Sequence, residues 1–250
     1  MKSRYVCSWV PCALALTSLM LMAPGSLTTA QAQTAREGEP IPIPGGVVDP
    51  NGQTAYLANT VHAGISAVDL ATGKVRWQAN GPLKPILVTG QKLIAWRPVE
   101  YAHNGLRVWA LDTRTGRSTW SSALIALPPS VFVDSDSPVK PPFFLTGRVQ
   151  DGQIELIWNV PAPSSKGAQN VGSQAGVVSV DLQTGNQVNP PHSSVITRSE
   201  GWIPKAAVGP RAYYLIEKKA RGGEEEDQRL VRAVDRKTGK TLWEFPLGEP

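Results

Sequence analysis

The sequence predicts an all-β protein built from four-stranded sheets, and three observations support this prediction. The 250 residues include 23 glycines and 22 prolines, and no long stretch places apolar residues at helical spacing. A segment of eleven residues recurs four times in nearly the same form, each time after a run of β-branched residues. Before each copy, strand-like runs alternate with turns that contain Gly. Helix is therefore expected to be scarce.

The four copies align on an Asp without a gap. In chain order they read AVDLATGKVRW (67–77), ALDTRTGRSTW (110–120), SVDLQTGNQVN (179–189) and AVDRKTGKTLW (233–243). Successive Asp residues are 43, 69 and 54 positions apart. Periods of this size are typical of β-propeller blades that carry loop insertions of differing length. The chain is thus predicted to contain four or five propeller blades, either as a small ring or as part of a ring of seven or eight.

Each column of the repeat has a physical explanation. An Asp followed by Thr-Gly suits a tight turn, because the carboxylate accepts bonds from backbone N–H groups and the hydroxyl, while Gly tolerates positive φ. The position two before the Asp holds only Ala or Ser, which leaves room for a bulky neighbour, and the closing Trp supplies a large ring. The predicted structural residues are Ala67, Asp69, Thr72, Gly73 and Trp77; Ala110, Asp112, Thr115, Gly116 and Trp120; Asp181, Thr184 and Gly185; and Ala233, Asp235, Thr238, Gly239 and Trp243.

This motif is similar to the tryptophan-docking motif of the pyrroloquinoline-quinone (PQQ)-like propeller repeat family, which contains quinoprotein dehydrogenases and BamB-like envelope proteins. The resemblance covers residues 45–246. It implies that each Trp is held between the Ala of its own repeat and the Gly peptide of the next repeat, so that neighbouring blades are fastened together. The third repeat has Ser179 and Asn189 at the Ala and Trp positions, so its fastener is expected to be missing.

A WD-repeat propeller is the main structural alternative. In that family the Trp-Asp pair ends a strand, whereas here each Asp precedes its Trp by eight residues. The spacing therefore favours the PQQ-like family.

The first 32 residues predict a secretory signal peptide. Lys2 and Arg4 precede an apolar run over 13–23, and Ala30-Gln31-Ala32 supplies a cleavage site before Gln33. A membrane anchor is the alternative, but a spanning helix needs about 20 apolar residues. The expected organisation is a leader at 1–32, a linker at 33–44 and a repeat domain at 45–250, with membrane association only if the leader is retained.

Removal of the leader would also limit the chemistry of the mature chain. Both cysteines, Cys7 and Cys12, lie in the leader, so disulfides and cysteine nucleophiles are not expected. The formal net charge would fall from +5 to +3 with the loss of Lys2 and Arg4. This excess is small and scattered, so nucleic acid is not expected as a partner.

No catalytic residue and no metal site is predicted. His62, His103 and His192 have no metal-ligand spacing. Asp134 and Asp136 lack the remaining ligands of a calcium loop. The tryptophans outside the motif in the mature chain are expected mainly in the core; they are Trp96, Trp109, Trp158 and Trp202.

Two functional hypotheses follow. The first is an exported, non-catalytic propeller in the periplasm or outside the cell that needs no cofactor and binds protein partners through its face and its insertions at 121–142, 161–174 and 218–229. The last insertion carries four consecutive acids, although a solvated hairpin tip is the plainer interpretation. The alternative is a PQQ-dependent quinoprotein dehydrogenase with calcium, or a part of one. An incomplete ring would favour a homodimer.

Overall fold

Every regular element in the described residues is a β-strand, as the turn-rich sequence predicts. The structure is a computed structural model that describes residues 39–60, 62–133, 143–161, 174–193, 205–218 and 228–248. All of these residues belong to the unit Gln31–Pro250. The leader, Trp202, Asp134 and Asp136 lie outside the described residues.

The strands form four antiparallel sheets, numbered here as blades 1 to 4 in chain order. Blade 1 contains β1 (Ile41–Ile43), β2 (Gly46–Val48), β3 (Thr54–Asn59), β4 (Gly64–Asp69) and β5 (Val75–Asn80). Blade 2 contains β6 (Lys84–Thr89), β7 (Lys92–Val99), β8 (Ala102–Asp112), β9 (Ser118–Ser121) and β10 (Ile125–Ala126). Blade 3 contains β11 (Phe144–Gln150), β12 (Gln153–Val160), β13 (Gln174–Asp181) and β14 (Gln187–Ser193). Blade 4 contains β15 (Lys205–Val208), β16 (Arg211–Lys218), β17 (Gln228–Asp235) and β18 (Thr241–Gly248).

In each blade the strands pair with their neighbours in the chain, and two blades carry an addition to the four-stranded plan. In blade 2 the long strand β8 pairs with both β9 and β10. In blade 1 the extra strand is β1, which lies within residues 33–44, the segment predicted to be a linker. These four sheets of four or five strands confirm the predicted all-β architecture of propeller blades.

Among the described residues the core comprises three apolar clusters, each shared by two blades. Because side chains alternate between the faces of a strand, blade 1 contributes to two clusters. Tyr56 and Ala67 pack toward blade 2, whereas Leu57 and Val68 pack toward blade 4. The third cluster lies between blades 2 and 3 and contains Ile94, Val108, Ile154 and Trp158, among others. The packing order of the blades is therefore 4, 1, 2, 3.

The last blade in the chain thus packs beside the first one. Leu247 at the end of β18 accepts hydrogen bonds from the backbone N–H and the hydroxyl of Thr60, both at 2.8 Å. Its side chain also lies against Gly45, where an added methyl group would come within 2.8 Å of Leu247 Cδ1. The first and last blades in the chain are consequently joined by backbone and apolar contacts together.

Blades 3 and 4 differ from the other pairs, because none of the three clusters in the described residues joins them. Along β12, Ile154, Leu156 and Trp158 are buried on the side of blade 2. The opposite face carries an ion pair in which Arg148 Nε lies 2.5 Å from Glu155 Oε2. Polar outer faces are typical of the terminal units of repeat arrays, since no neighbour covers them.

Candidate functional site

The repeat motif builds the same turn in all four blades. In blade 1 the Asp69 Oδ1 atom accepts bonds from the N–H groups of Ala71 and Thr72 and from the Thr72 hydroxyl, at 2.9 to 3.0 Å. The equivalent atoms of Asp112, Asp181 and Asp235 accept the same three bonds at 2.7 to 3.1 Å. The four carboxylates are thus engaged by their own turns.

These bonds lower the pKa of each Asp. For Asp69 the pKa falls to about 2, chiefly because Arg76 Nη2 donates to Oδ2 at 2.5 Å and secondarily because of the bonds from Thr72. For Asp112 and Asp181 the main cause of the lowered pKa is the Thr hydroxyl of the same turn. For Asp235 it is the backbone N–H of Thr238. A carboxylate stabilised in this way is a poor general acid or base near neutral pH.

The Gly of each motif adopts positive φ, between 70° and 76°, which an L side chain rarely adopts. In three of the four turns the Gly also lies against a tryptophan of another blade. A methyl group added to Gly116 would come within 2.5 Å of the Trp77 ring, and one added to Gly185 within 2.5 Å of the Trp120 ring. At Gly73 the corresponding distance, to Trp243, is 2.7 Å. These turns therefore have no space for a side chain.

The indole N–H groups bond to the same turns. Trp77 Nε1 donates to the carbonyl of Thr113 at 2.8 Å, and Trp243 Nε1 donates to that of Leu70 at 3.0 Å. Trp120 Nε1 donates to Leu182 O at 3.1 Å, and Lys92 Nζ donates to the same oxygen at 2.9 Å. In every case the acceptor belongs to the residue after the motif Asp. Sequence reasoning does not identify these acceptors, because a backbone carbonyl leaves no signature in the side-chain pattern.

Each of these tryptophans also pairs with the small residue of its own repeat. Ala67 lies opposite Trp77, Ala110 opposite Trp120, and Ala233 opposite Trp243. Tyr56 packs on Trp77 with 5.7 Å between ring centroids, and Tyr213 packs on Trp243 with 5.9 Å. Burial raises the pKa of both tyrosines to about 12, so they stay neutral at physiological pH.

The third repeat lacks this contact. Ser179 lies opposite Asn189, which is exposed. On blade 4, a methyl group added to Gly239 would meet nothing within 4 Å among the described residues.

The other candidate residues do not come together in a site. His62 is exposed, His103 lies 3.1 Å from Pro129 O, and His192 lies on β14. Trp96 and Trp158 are buried in the core between blades 2 and 3. Trp109 is half-buried, and the Arg97 guanidinium carbon lies 4.9 Å from the centroid of its ring.

A quinone cofactor held beside calcium would require a set of oxygen ligands for the ion. Calcium needs six to eight oxygen ligands, commonly from several carboxylates. Within the described ranges, no group of three His, Cys, Asp or Glu side chains is placed to hold a metal ion.

One exposed patch was missed by sequence reasoning. It lies at the tip of the β7–β8 hairpin, where Tyr101 is 95% exposed. Nearby, the rings of His103 and Phe132 lie 4.9 Å apart, and Leu124 contacts Gly105. We refer to Tyr101, His103, Leu124 and Phe132 as the hairpin patch. The residues are distant in sequence, so only the pairing of the 122–133 segment with β8 brings them together.

No helix of the length and hydropathy that a bilayer span requires occurs in the part of the chain that the structure describes.

Comparison with known families gives one extensive match. A family model described as outer membrane protein assembly factor BamB matches residues 25–189, which is 165 of the 250 residues. No curated protein matches the chain.

Solved structures give distant matches. Hydrazine synthase of Kuenenia stuttgartiensis is 12% identical, with 87% of this chain and 52% of that chain covered and a TM-score of 0.35. The N-terminal domain of Nup159 is 14% identical, with coverages of 80% and 52% and a TM-score of 0.35. TolB from Acinetobacter baumannii is 15% identical, with coverages of 81% and 43% and a TM-score of 0.30. The chain spans about half the length of these structures, and scores this low carry no functional argument.

The indole contacts predict that equivalent motif positions of different blades contribute very differently to the free energy of unfolding. We expect Trp120→Ala to lower the free energy of unfolding by about 3–5 kcal/mol, because the ring fills the interface between two blades. Asn189→Ala, at the same motif position of blade 3, is the matched control and should change it by less than about 0.5 kcal/mol. Urea denaturation followed by tryptophan fluorescence measures both. Similar losses in the two variants would contradict a stabilising role for the indole.

The lowered pKa of Asp69 predicts a loss of stability in acid. Its contribution is complete above the ordinary Asp pKa of 3.8 and is lost as the pH falls toward about 2. In Asp69→Asn the amide oxygen still accepts hydrogen bonds but does not titrate. This variant should therefore lose less stability than the wild type between about pH 5 and about pH 2.5.

Urea midpoints at the two pH values test this expectation. Glu100→Gln, at an exposed acid next to Tyr101, is the control and should behave as the wild type. An equal acid-induced loss in Asp69→Asn and the wild type would rule out this role of the turn.

Proposed function

The chain belongs to the family described as outer membrane protein assembly factor BamB, and on that premise we propose that it is an exported, non-catalytic propeller that serves as a protein-interaction scaffold in the cell envelope. The family description refers to an assembly factor, and assembly requires contacts with other proteins. Here that role is assigned to the rigid array of blades and to the surfaces that it displays.

One observation carries the proposal: the repeated Asp and Trp side chains bond to backbone and side-chain groups of the blades themselves. The four motif carboxylates bind their own turns, and three indoles bond to the turn of a neighbouring blade. The chemistry-bearing residues that the sequence repeats are therefore committed to building the array. The proposed activity needs no cofactor, metal or catalytic residue.

The hairpin patch supplies a surface of the right character for a partner. Aromatic residues are enriched at the energetic centres of protein interfaces, because they bury a large area with few rotatable bonds. Tyr101 is almost fully exposed, although Leu106 and Ile125 beside the patch are fully buried. An exposed aromatic side chain on such a well-packed support loses little entropy on binding. The patch includes Leu124 and Phe132 of the predicted insertion at 121–142, of which residues 134–142 lie outside the described residues.

Export predicts a shorter mature chain. The protein recovered from the envelope fraction of its own cells should have the intact mass of a chain that begins at Gln33, because the A-x-A site precedes that residue. Intact-mass spectrometry measures this directly. Recovery of the chain with Met1 to Ala32 still attached would contradict cleavage, and recovery from the cytoplasm alone would contradict export.

Photocrosslinking tests the scaffold role. A photoreactive phenylalanine at Tyr101 should give discrete adducts with envelope proteins in living cells. The same group at Val75, which is 45% exposed at the edge of blade 1, is the control and should give none. Adducts of equal pattern at both positions would indicate unspecific contact. Absence of adducts at Tyr101, with the protein present in the envelope at normal levels, would contradict the role of this surface.

A further inference from the structure

Two arginines lie directly opposite each other on blade 2. Arg97 on β7 and Arg107 on β8 are partners in the antiparallel register. The side chains of such a pair project from the same face of the sheet, with their Cβ atoms about 4.5–5.5 Å apart. Like charges in this position destabilise a sheet, and both guanidinium groups are positive. An anion bound between them would relieve this repulsion.

The acids of the described residues do not neutralise the two arginines. Ion pairs among the described residues use other basic side chains, namely Arg76, Arg148, Lys218 and Arg232. Arg107 is exposed and Arg97 is half-buried, so solvent reaches both side chains. The pair is therefore a positively charged surface feature that a ligand can reach.

Trp109 holds one of the two guanidinium groups in place. It lies two residues after Arg107 and therefore on the same face of β8, as a diagonal neighbour of Arg97. The Arg97 guanidinium carbon lies 4.9 Å from the centroid of the Trp109 ring. The ring itself packs against the core cluster between blades 1 and 2. Arg97 is thus ordered before any ligand binds, which lowers the entropic cost of binding.

The surroundings of the pair favour a carboxylate over other anions. The edge of a guanidinium matches the two coplanar oxygens of a carboxylate. The backbone of β8 pairs with β7 on one side and with β9 and β10 on the other, and the residue opposite Trp109 is Ala95, which has no hydroxyl. The donors that this face offers are therefore the guanidinium groups. They satisfy two oxygens, whereas a phosphate group has further oxygens that need further donors.

We propose that Arg97 and Arg107 bind a carboxylate side chain on an acidic segment of a protein partner, with Trp109 as the positioning residue. The inference rests on the scaffold function proposed above and names a feature of the partner, an exposed Asp or Glu. The pair belongs to the same β7–β8 hairpin as Tyr101. The aromatic side chain supplies contact area to the partner, and the arginines supply complementary charge, which favours fast and specific association.

The direct test titrates the full chain, labelled with nitrogen-15, with acetyl-tetraglutamate amide. The side-chain Nε–H resonances of Arg97 and Arg107 should move and saturate, and sodium chloride should weaken the binding because exposed charges are screened. The resonance of Arg117, an exposed arginine of the same blade, should show no saturable movement. Inorganic phosphate is the second probe. Saturation by phosphate at equal or lower concentration, or no saturable movement of the two arginines with the peptide, would overturn the proposal.

A matched pair of variants separates the site from the general charge of the protein. Arg107→Gln and Arg117→Gln each remove one exposed positive charge from blade 2. Arg107→Gln should weaken peptide binding by about tenfold or more, whereas Arg117→Gln should bind as the wild type. Unchanged binding in Arg107→Gln, or equal weakening in the two variants, would overturn the proposal. If a variant does not fold, the comparison of the two probes on the wild type decides.

A charge reversal tests the site in living cells, with the photoreactive group at Tyr101. Arg107→Glu should reduce the adducts by about tenfold, because the new carboxylate repels an acidic partner, and Arg117→Glu should leave them unchanged. Undiminished adducts in Arg107→Glu would overturn the arginine site and leave the scaffold function standing. Absence of adducts in the wild type would contradict the role of the hairpin patch, and the peptide titration would then decide the arginine site by itself.

Discussion

The contact between an indole ring and a glycine turn is the interaction on which the rest of this structure depends. It combines a flat apolar area, one hydrogen bond and a backbone conformation that only Gly adopts easily. Each part constrains the others. The ring reaches the turn because the residue opposite it is Ala, and the turn keeps its shape because the Asp carboxylate binds three donors within it. A substitution at any of these positions therefore alters the packing of two blades.

Much of this arrangement could be predicted from the sequence, because it rests on short-range patterns. The Asp-x-x-Thr-Gly turn, the strand before it and the strand after it occupy eleven consecutive residues, and their physics is local. The apolar alternation along β12, from Ile154 to Val160, likewise predicts a strand with one buried face. The all-β fold and the family follow from these features and are confirmed by the sheets and by the family match.

Other features depend on contacts that no local pattern encodes. The position of blade 4 beside blade 1 depends on Trp243 and Leu70, which are 173 residues apart. The hairpin patch depends on a segment after β9 that folds back along β8. Strand β1 was not predicted from the sequence because it contains Pro42. Proline is disfavoured in the interior of a sheet but is tolerated in an edge strand such as β1. In each case the missing information is a tertiary neighbour.

The packing of blade 4 against blade 1 also determines when the fold can be completed. Blades 1, 2 and 3 can pack in the order in which they leave the ribosome or cross a membrane. Leu57, Val68 and Leu70 on the outer face of blade 1 are covered by side chains of blade 4, and therefore stay uncovered until the last segment of the chain arrives. Contacts of such sequence separation form slowly, and exposed strands with apolar faces associate with one another meanwhile. The early part of this chain therefore exposes these apolar side chains until blade 4 has formed, and a chain truncated before β15 would expose them permanently.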